Sequence, residues 1–203
     1  MDISSELGSQ APPVDTLAIL LAAGAGSRFV GSEHKLLATL PRSDGRSIFE
    51  LSLQQVLEAG FTKIVVVTGA ADIPAKMLAH SQVIVVHNNR WADGQSGSVS
   101  MGIHEAQRLL ANTVVVGLAD QPFVTAEAWR RVAHATTPIA VATYFGRSGN
   151  PVRLHQSIWP LLPNSGDSGA RDLIRLRPEL VSQVDCPGSA ADIDTQEDLA
   201  QWT

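Results

Sequence analysis

Apolar residues recur along this chain in short, unbroken runs. The first spans residues 17–21, and four later runs rich in β-branched side chains span residues 64–67, 83–86, 114–116 and 139–142. Runs without polar alternation are typical of strands that are buried on both faces, as in parallel sheets. Helical patterns separate these runs, so the pattern predicts an α/β fold in which a parallel sheet carries helices on both faces.

One of these helices is predicted between Ser47 and Gly60. Ser47 and Glu50 have the spacing of a capping box, in which each side chain satisfies a backbone N–H of the other residue. The residues that follow are apolar at helical spacing, namely Phe49, Leu53, Val56 and Leu57. Gly60 ends the pattern, and we expect this helix to cover one face of the sheet.

A small, polar loop follows the first apolar run. Residues 24–28 read Gly-Ala-Gly-Ser-Arg, and Lys35 follows seven residues after Arg28. Small residues let backbone N–H groups approach an anion, and Arg28 and Lys35 add full positive charges. The loop is therefore predicted to bind the phosphates of a nucleotide.

Two common phosphate-binding templates do not fit this loop. The dinucleotide-binding pattern needs a third glycine, and Phe29 stands at that position. The P-loop pattern needs a glycine before its lysine and Ser or Thr after it, whereas His34 and Leu36 flank Lys35.

Asp120 closes an otherwise apolar segment, residues 114–119. A carboxylate at the mouth of a buried strand costs free energy unless it is paired or bound to a metal. An arginine partner is one explanation. The other is Mg²⁺, which takes one or two protein carboxylates and fills its remaining positions with water and phosphate oxygens. Gly24, Asn88 and Asp120 all follow predicted strand ends, where open α/β sheets bind ligands.

Three further polar segments carry weaker signals. Residues 88–98 lead into a helix, where Ser96 and Ser98 are either ordinary caps, which the sequence favours, or anion contacts. Residues 144–152 indicate a hairpin with a glycine-rich tip. Residues 166–177 predict a loop and a short helix capped by Asp167 or Ser168, and we favour a phosphate-facing role over a solvated one for Arg171.

Together these segments resemble the MobA/MocA-like family of nucleotidyltransferases. The matching blocks occur in the family's order and span nearly the whole chain after residue 16: residues 21–28 with Lys35, then residues 120–122, 149–152, 166–171 and 192–195. The family usually has a glycine two residues after the arginine, whereas here Val30 precedes Gly31. The resemblance implies a single-domain, Rossmann-like three-layer sandwich with a mostly parallel sheet, similar to the nucleotide-diphospho-sugar transferases.

The resemblance also implies roles for individual residues. It assigns catalysis to Arg28, Lys35 and Asp120. It assigns nucleotide contacts to these three residues and to Leu21, Ala22, Ala23, Gly24, Gly26, Ser27, Asn88, Gly94, Ser96 and Ser98. It assigns acceptor contacts to Gln121, Asn150, Pro151, Asp167, Gly169 and Arg171. Mg²⁺ is assigned to Asp120 and Asp194, although residues 194–197 fit the start of a capped helix equally well.

The implied activity is Mg²⁺-dependent transfer of a nucleoside monophosphate from a nucleoside triphosphate to a phosphorylated acceptor, with release of pyrophosphate. Such a reaction needs alignment and charge neutralisation but no nucleophilic side chain. By resemblance the acceptor is molybdopterin or its molybdenum form, with a molybdoenzyme or its chaperone as a further partner. In the family, alanines at the positions of Ala22 and Ala23 favour CTP over GTP.

Three alternatives remain open. The acceptor could be another phosphorylated small molecule. An NAD(P)-dependent oxidoreductase would use Gly24 and Gly26, but Asp44 is its only available acidic ribose contact. A non-catalytic nucleotide sensor would not require Asp120. None of the six histidines has metal-binding spacing, and we single out only His34, because it precedes Lys35.

Composition limits the possible domain organisation, partners and location of the protein. With 203 residues, 44% of them hydrophobic, we expect one domain over residues 17–203 after a disordered tail, residues 1–16. The net charge of −5 argues against a nucleic acid partner. No apolar run approaches the roughly 20 residues that span a bilayer, and the first residues lack a leader pattern, so we expect no membrane association and a cytoplasmic location. The single cysteine, Cys186, excludes an internal disulfide.

Overall fold

A computed structural model of the chain describes residues 8–30, 33–41 and 43–201. Within these residues, seven strands form one sheet in the order β3-β2-β1-β4-β6-β5-β7. The strands are β1 Thr16–Ala22, β2 Ile64–Thr68, β3 Val83–His87, β4 Thr113–Leu118, β5 Ile139–Tyr144, β6 Arg147–His155 and β7 Val181–Asp185. Only β6 among them runs antiparallel to its neighbours, β4 and β5. The predicted α/β fold with a mostly parallel sheet is confirmed.

Helices cover both faces of this sheet. The described residues contain α1 Ile48–Ala59, α2 Ala75–Leu78, α3 Gln95–Arg108, α4 Ala126–Ala133, α5 Arg171–Leu176 and α6 Gln196–Ala200, together with 3₁₀ turns at Lys35–Leu37, Trp91–Asp93, Gln156–Leu161 and Pro178–Leu180. Phe49 of α1 and Trp129 of α4 belong to the core on one face, and Val99 and Ile103 of α3 belong to the core on the other. The three-layer arrangement is therefore confirmed.

The helix α1 forms where its capping residues predict. The Ser47 hydroxyl accepts a hydrogen bond from the Glu50 backbone N–H at 3.2 Å, and the Glu50 carboxylate accepts one from the Ser47 N–H at 2.9 Å. Gly60 ends the helix in the left-handed region, at φ 85°. These bonds satisfy N–H groups that the first turn of a helix otherwise leaves unpaired.

The strand β1 lies in the middle of the parallel part of the sheet. All seven of its residues are buried, and it pairs with β2 on one side and β4 on the other. Burying an aliphatic side chain such as Ile19 or Leu20 contributes about 1.5–3 kcal/mol relative to leaving it exposed. Because Leu21 lies opposite Leu118 in parallel register, the loops that follow β1 and β4 open at the same edge of the sheet.

Two elements differ from the sequence-based expectation. The predicted hairpin is present, but its turn is Phe145–Gly146, and most of the glycine-containing segment forms β6, with an irregularity in the β5–β6 register between Val141 and Ala142. The strand β7 was not predicted. Its residues are half-buried or exposed at the edge of the sheet, and they lack the continuous apolar run that marks the buried strands.

Part of the predicted disordered tail is packed against the domain. The carbonyl of Gly8 accepts a hydrogen bond from Arg130 of α4, and the carbonyl of Ala11 lies 3.1 Å from His134 Nε2. Pro12 is buried. Gly8 and Ala11 therefore contact α4 and its C-terminal cap residue, whereas residues 1–7 of that prediction lie outside the described residues.

The described part of the chain contains no helix with the length and apolar character that crossing a membrane requires.

Candidate active site

A cavity of about 300 Å³ lies where the loops after β1 and β4 meet. The glycine loop, residues 24–28, forms one wall. The other walls include four charged side chains, those of Lys35, Asp120, Asp192 and Asp194. The structure thus brings together the predicted phosphate loop and the predicted metal-binding carboxylates, and we call this space the glycine-loop cavity.

Backbone geometry shapes the glycine loop. Gly26 has a φ of 61°, and a Cβ atom there would lie 3.0 Å from Lys35 Cγ and 3.2 Å from His34 Nε2. A larger residue would therefore be both strained and crowded. Gly24 has no atom within 4 Å of the position that its Cβ would take, so this side of the loop is open to a ligand.

His34 ties the loop to the turn that carries Lys35. Its Nδ1 accepts a hydrogen bond from the Leu36 backbone N–H at 3.2 Å, and its Nε2 lies 3.0 Å from the Gly24 carbonyl oxygen. A neutral imidazole that accepts at Nδ1 carries its proton at Nε2, so it donates to Gly24. The sequence singled out His34 only by its position beside Lys35, because a bond to a carbonyl group ten residues away leaves no pattern.

Lys35 links the two carboxylates of the cavity. Its Nζ donates to Asp120 Oδ2 at 2.6 Å and to Asp194 Oδ1 at 2.7 Å, and its side chain is only 9% exposed. Burial alone would lower the pKa of Lys35, but the Asp120 carboxylate, and then that of Asp194, outweigh burial and raise this pKa above its usual value. Lys35 therefore carries a positive charge at neutral pH.

Asp194 is held at the cavity and does not cap a helix. Thr195 caps α6, where its side chain accepts from the Asp198 N–H and the Asp198 carboxylate accepts from the Thr195 N–H. The carboxylate of Asp194 instead contacts Lys35 and Arg28, the latter at 2.7 Å from Oδ2. The alternative interpretation of Asp194 as a cap is therefore wrong.

The carboxylate of Asp120 retains one oxygen for a ligand. Oδ2 binds Lys35, so its partner is a lysine and not the arginine considered from the sequence. Oδ1 is buried and has no hydrogen-bond partner among the described residues. A buried carboxylate oxygen without a partner is costly, and a hard cation such as Mg²⁺ would satisfy it.

Asp192 lies at the boundary between this cavity and a second one. Its Oδ1 accepts from Gln121 Nε2 at 2.7 Å, and Gln121 Oε1 accepts from Asn150 Nδ2 at 3.1 Å. Desolvation of the carboxyl group and the nearby Asp120 carboxylate raise the pKa of Asp192, although the residue as a whole is exposed. The alternation Asp-Ile-Asp at residues 192–194, with Ile193 fully buried, is the signal that could have assigned Asp192 to the site.

The second cavity, of about 380 Å³, is floored by the sheet. We call it the apolar cavity because its floor consists of aliphatic side chains from β4, β5 and β6: Val116, Val141, Val152 and Leu154. Gln121, Asn150, Gly169 and Arg171, four of the predicted acceptor contacts, line its polar part. Pro151 is buried next to Asn150. Arg171 is exposed, and it lies here and not at the glycine loop.

Two details of the loops differ from the predictions. The helix α3 begins at Gln95 with Gly94 as its cap residue, so Ser96 and Ser98 lie in its first turn and cap nothing. The helix α5 follows Ala170 and has no side-chain cap, so neither Asp167 nor Ser168 caps it. A polar residue near a helix start fits both a cap and a first-turn position, and the sequence pattern does not separate the two.

Asn88 and Ser96 are buried supports of the site and line neither the glycine-loop cavity nor the apolar cavity. Asn88 Nδ2 donates to Ser98 Oγ at 2.9 Å, and Ser96 Oγ accepts from the Gly169 N–H at 3.0 Å. Both side chains therefore hold α3 against its neighbouring loops, and their contacts with a nucleotide stay a prediction.

A third cavity, of about 340 Å³, adjoins the glycine loop. It is lined by Leu21, Ala23, Gly24, Gly94, Ser98 and Asp120, together with Trp91 and Asp167. Asp167 was predicted to contact the acceptor, but it lines this third cavity and not the apolar cavity, and its carboxylate lies beside Gly94. The remaining predicted nucleotide contacts, Ala22, Gly26, Ser27 and Arg28, line the glycine-loop cavity.

The family model of the MobA-like NTP transferase domain matches residues 18–184. The chain belongs to this family. The match covers most of β1, the glycine loop, Asp120 and most of the apolar cavity. The family prediction and the prediction of a nucleotidyltransferase are confirmed.

Two curated proteins resemble this NTP transferase domain over most of its length. Nicotine blue oxidoreductase from Paenarthrobacter nicotinovorans is 33% identical over 196 residues, which cover 89% of this chain and 93% of that protein. The purine catabolism protein PucB from Bacillus subtilis (strain 168) is 28% identical over 195 residues, which cover 90% of this chain and 93% of that protein.

Solved structures share the fold of this NTP transferase domain. Rv0371c from Mycobacterium tuberculosis H37Rv has a TM-score of 0.76 at 24% identity, covering 92% of this chain and 96% of its own. Its complex with manganese has a TM-score of 0.73 at 24% identity, covering 92% and 97%. The inositol-1-phosphate CTP transferase from T. maritima has a TM-score of 0.71 at 17% identity, covering 92% of both chains. The predicted similarity to the nucleotide-diphospho-sugar transferase fold is confirmed.

Proposed function

We propose that this chain transfers CMP from CTP to a phosphorylated acceptor in a Mg²⁺-dependent reaction that releases pyrophosphate. One observation carries the proposal: the glycine loop and the Asp120 carboxylate face one cavity, with Lys35 between them. That arrangement suits a triphosphate, since backbone N–H groups and two cations can meet its oxygens, and the Asp120 carboxylate would hold a divalent cation that neutralises part of its charge.

The carboxylates suit a divalent cation whose remaining coordination positions are filled by water and by oxygens of the substrate. Asp120 Oδ1 has no hydrogen-bond partner in the part of the chain that the structure describes, and Asp194 also contacts Lys35 Nζ. The described residues contain no group of three or more His, Cys, Asp or Glu side chains that could hold a metal ion. Two carboxylates plus water and phosphate oxygens match the coordination that Mg²⁺ prefers. When bound, the cation would neutralise charge that develops on the triphosphate. A manganese complex is known for one protein of the same fold.

Residues of the chain would bind the triphosphate and neutralise its charge. Residues 24–28 would hold the triphosphate, and Arg28 and Lys35 would balance its negative charge. An oxygen of the acceptor phosphate would form a bond to the α-phosphorus, while the bond from that phosphorus to the bridging oxygen breaks and pyrophosphate leaves. One cation about 4 Å from a unit of developing negative charge contributes roughly 4 kcal/mol at an effective dielectric of 20.

The acceptor would enter the apolar cavity, which shares Asp192, Leu21 and Leu118 with the glycine-loop cavity. Molybdopterin is our first candidate, because the chain belongs to the MobA-like family and because an apolar floor suits a flat heterocyclic body. A molybdoenzyme or its chaperone would then be a partner, in the cytoplasm. Ala22-Ala23 supports CTP over GTP, in line with the family pattern.

An NAD(P)-dependent oxidoreductase is the second candidate, since one relative, at 33% identity, carries an oxidoreductase name. Phe29 stands where that function needs a glycine, and Asp44 lines none of the three cavities.

One assay separates these candidates. The protein is incubated with each nucleoside triphosphate and Mg²⁺, with molybdopterin, with a polyol phosphate or with no acceptor, and pyrophosphate is measured. We expect release only with CTP and molybdopterin together. Release with the polyol phosphate would change the acceptor class. No release under any condition, combined with oxidation of NAD(P)H in the presence of an organic acceptor, would replace the proposal by the second candidate.

A further inference from the structure

The two carboxylates proposed to hold the divalent cation are already joined by a cation of the chain itself. The ammonium of Lys35 lies 2.6 Å from Asp120 Oδ2 and 2.7 Å from Asp194 Oδ1. We infer that Lys35 takes the place of the divalent cation in the nucleotide-free protein, and that it leaves the carboxylates for a phosphate only when metal and triphosphate arrive together. This inference rests on the proposed function.

The charges of the cavity support this exchange. Lys35 and Arg28 pair with Asp120 and Asp194, and Asp192 is the remaining charged side chain among the residues that line the cavity, so without a metal the cavity carries at most one net negative charge. Adding a divalent cation then leaves an excess of positive charge, which opposes metal binding until a triphosphate supplies negative charge. Of the two cations, Lys35 is the stronger barrier, because its side chain is 9% exposed and that of Arg28 is 75% exposed.

The position of Lys35 also makes the movement short. Its side chain passes the glycine loop, with Cγ 3.0 Å from the place that a Cβ on Gly26 would occupy. The stem of Lys35 therefore lies against the loop that would hold phosphate, while its ammonium contacts the carboxylates that would hold the metal. A lysine carries its charge on a flexible stem with three rotatable donors, so it can turn from carboxylate to phosphate without movement of the backbone.

The chain offers a direct test, because it contains only three lysines: Lys35, Lys63 and Lys76. Lys63 and Lys76 are exposed and serve as internal controls. In protein labelled with ¹⁵N-lysine, the Nζ signal of Lys35 is expected to stay in place when Mg²⁺ is added alone. It is expected to shift when Mg²⁺ and a nonhydrolysable CTP analogue are added together. A Lys35 signal that is unchanged by the pair would overturn the exchange.

Metal binding gives a second readout that is independent of turnover. Mn²⁺ affinity is measured by electron paramagnetic resonance without nucleotide for the wild type, Lys35→Gln, Lys35→Met and the control Lys63→Gln. We expect both Lys35 variants to bind Mn²⁺ at least tenfold more tightly than the wild type and the control. Their thermal midpoints should also rise more with Mn²⁺. Adding Asp194→Asn to Lys35→Gln should remove the gain.

The outcomes separate this inference from the proposed function. Equal Mn²⁺ affinity in the wild type and in folded Lys35→Gln would overturn the exchange, while binding of Mn²⁺ with the CTP analogue would leave the proposed site intact. Failure of the wild type to bind Mn²⁺ even with the analogue would reject the metal site and the exchange together. If both Lys35 variants fail to fold, the ¹⁵N measurement on the wild type decides the question.

Discussion

The glycine-loop cavity and the apolar cavity share a wall but differ in chemistry. The first is lined by Arg28, Lys35 and three aspartates, with ion pairs of 2.6 to 2.7 Å. The second is floored by valine and leucine side chains of the sheet, and Arg171 lies exposed at its polar part. The difference suggests that phosphate chemistry and recognition of the acceptor body are assigned to separate spaces, so that substitutions should affect them independently.

The largest effect on activity is expected from a substitution in the wall of the glycine-loop cavity. Asp120→Asn removes the carboxylate charge that would hold the metal, and we expect Mg²⁺-dependent pyrophosphate release to fall by roughly 10³-fold. Circular dichroism should show an intact fold, since asparagine has nearly the same shape. Undiminished activity of this variant would remove Asp120 from the mechanism.

A methyl group in the glycine loop should weaken the binding of the nucleotide and not that of the acceptor. Gly24→Ala meets no atom within 4 Å in the free protein, so folding should be unaffected, whereas a bound phosphate would clash with it. We expect the KM for CTP to rise about tenfold, equivalent to about 1.4 kcal/mol, with the acceptor KM unchanged. Gly97→Ala, whose Cβ would make only contacts of 3.9 Å, is the matched control. Equal KM values for CTP in both variants would mean that no phosphate approaches Gly24.

A hydroxyl group in the floor of the apolar cavity should weaken binding of the acceptor and leave binding of CTP unchanged. Val152→Thr keeps the shape of the side chain but adds a polar group that an apolar acceptor body leaves unpaired, at a cost of roughly 1–3 kcal/mol. The acceptor KM should rise about tenfold, while the KM for CTP stays constant. Val85→Thr on the exposed edge strand is the control. A lowered acceptor KM would indicate a polar acceptor and contradict the assignment.

His34→Ala should have a smaller effect on the binding of CTP at the glycine-loop cavity. The variant loses the hydrogen bond to the Gly24 carbonyl and the one from the Leu36 N–H, each worth about 0.5–1.5 kcal/mol. We expect the KM for CTP to rise about threefold to tenfold. The exposed His104→Ala variant should behave like the wild type. An effect confined to the acceptor KM would exclude the proposed tie between the loop and the Lys35 turn.

The smallest kinetic effect is expected outside both cavities. Ser47→Ala breaks the capping box of α1 and should lower the free energy of unfolding by about 1 kcal/mol at pH 7, with both KM values unchanged. The exposed Ser81→Ala variant is the control.

The stabilisation that this capping box provides depends on pH and decreases in acid. The hydrogen bond from the Ser47 N–H, opposed in part by desolvation, lowers the pKa of Glu50 below its usual 4.5. The stabilisation is therefore complete above about pH 4.5 and is lost as the pH falls through the lowered value. Denaturant unfolding across this range should show the difference between the wild type and Glu50→Gln, which lacks the carboxylate charge, shrinking on the acid side. A constant difference would contradict a role for the Glu50 charge.

Local patterns were sufficient for the parts of the fold that depend on neighbouring residues. The apolar run of β1 followed by small residues predicted the buried strand and its loop, and Ser47, Glu50 and Gly60 predicted both ends of α1. The failures have a local cause as well. Ser96 and Ser98 carry the same signal whether they cap a helix or lie in its first turn, and β7 lacks a continuous apolar run.

Contacts between distant residues could not be predicted in the same way. Lys35 and Asp194 are 159 positions apart, and their 2.7 Å bond depends on the whole sheet having formed. The parallel register of Leu21 with Leu118, which brings the loop and Asp120 to one edge, is likewise a property of the fold. The sequence alone therefore supplied the chemical groups, whereas the sharing of one lysine by two carboxylates required the structure.

A crystal structure with Mn²⁺ and a nonhydrolysable CTP analogue tests the central claim most directly. The account predicts a triphosphate against residues 24–28 and an anomalous manganese peak at the Asp120 carboxylate. A triphosphate in the apolar cavity, or manganese bound away from Asp120, would contradict it.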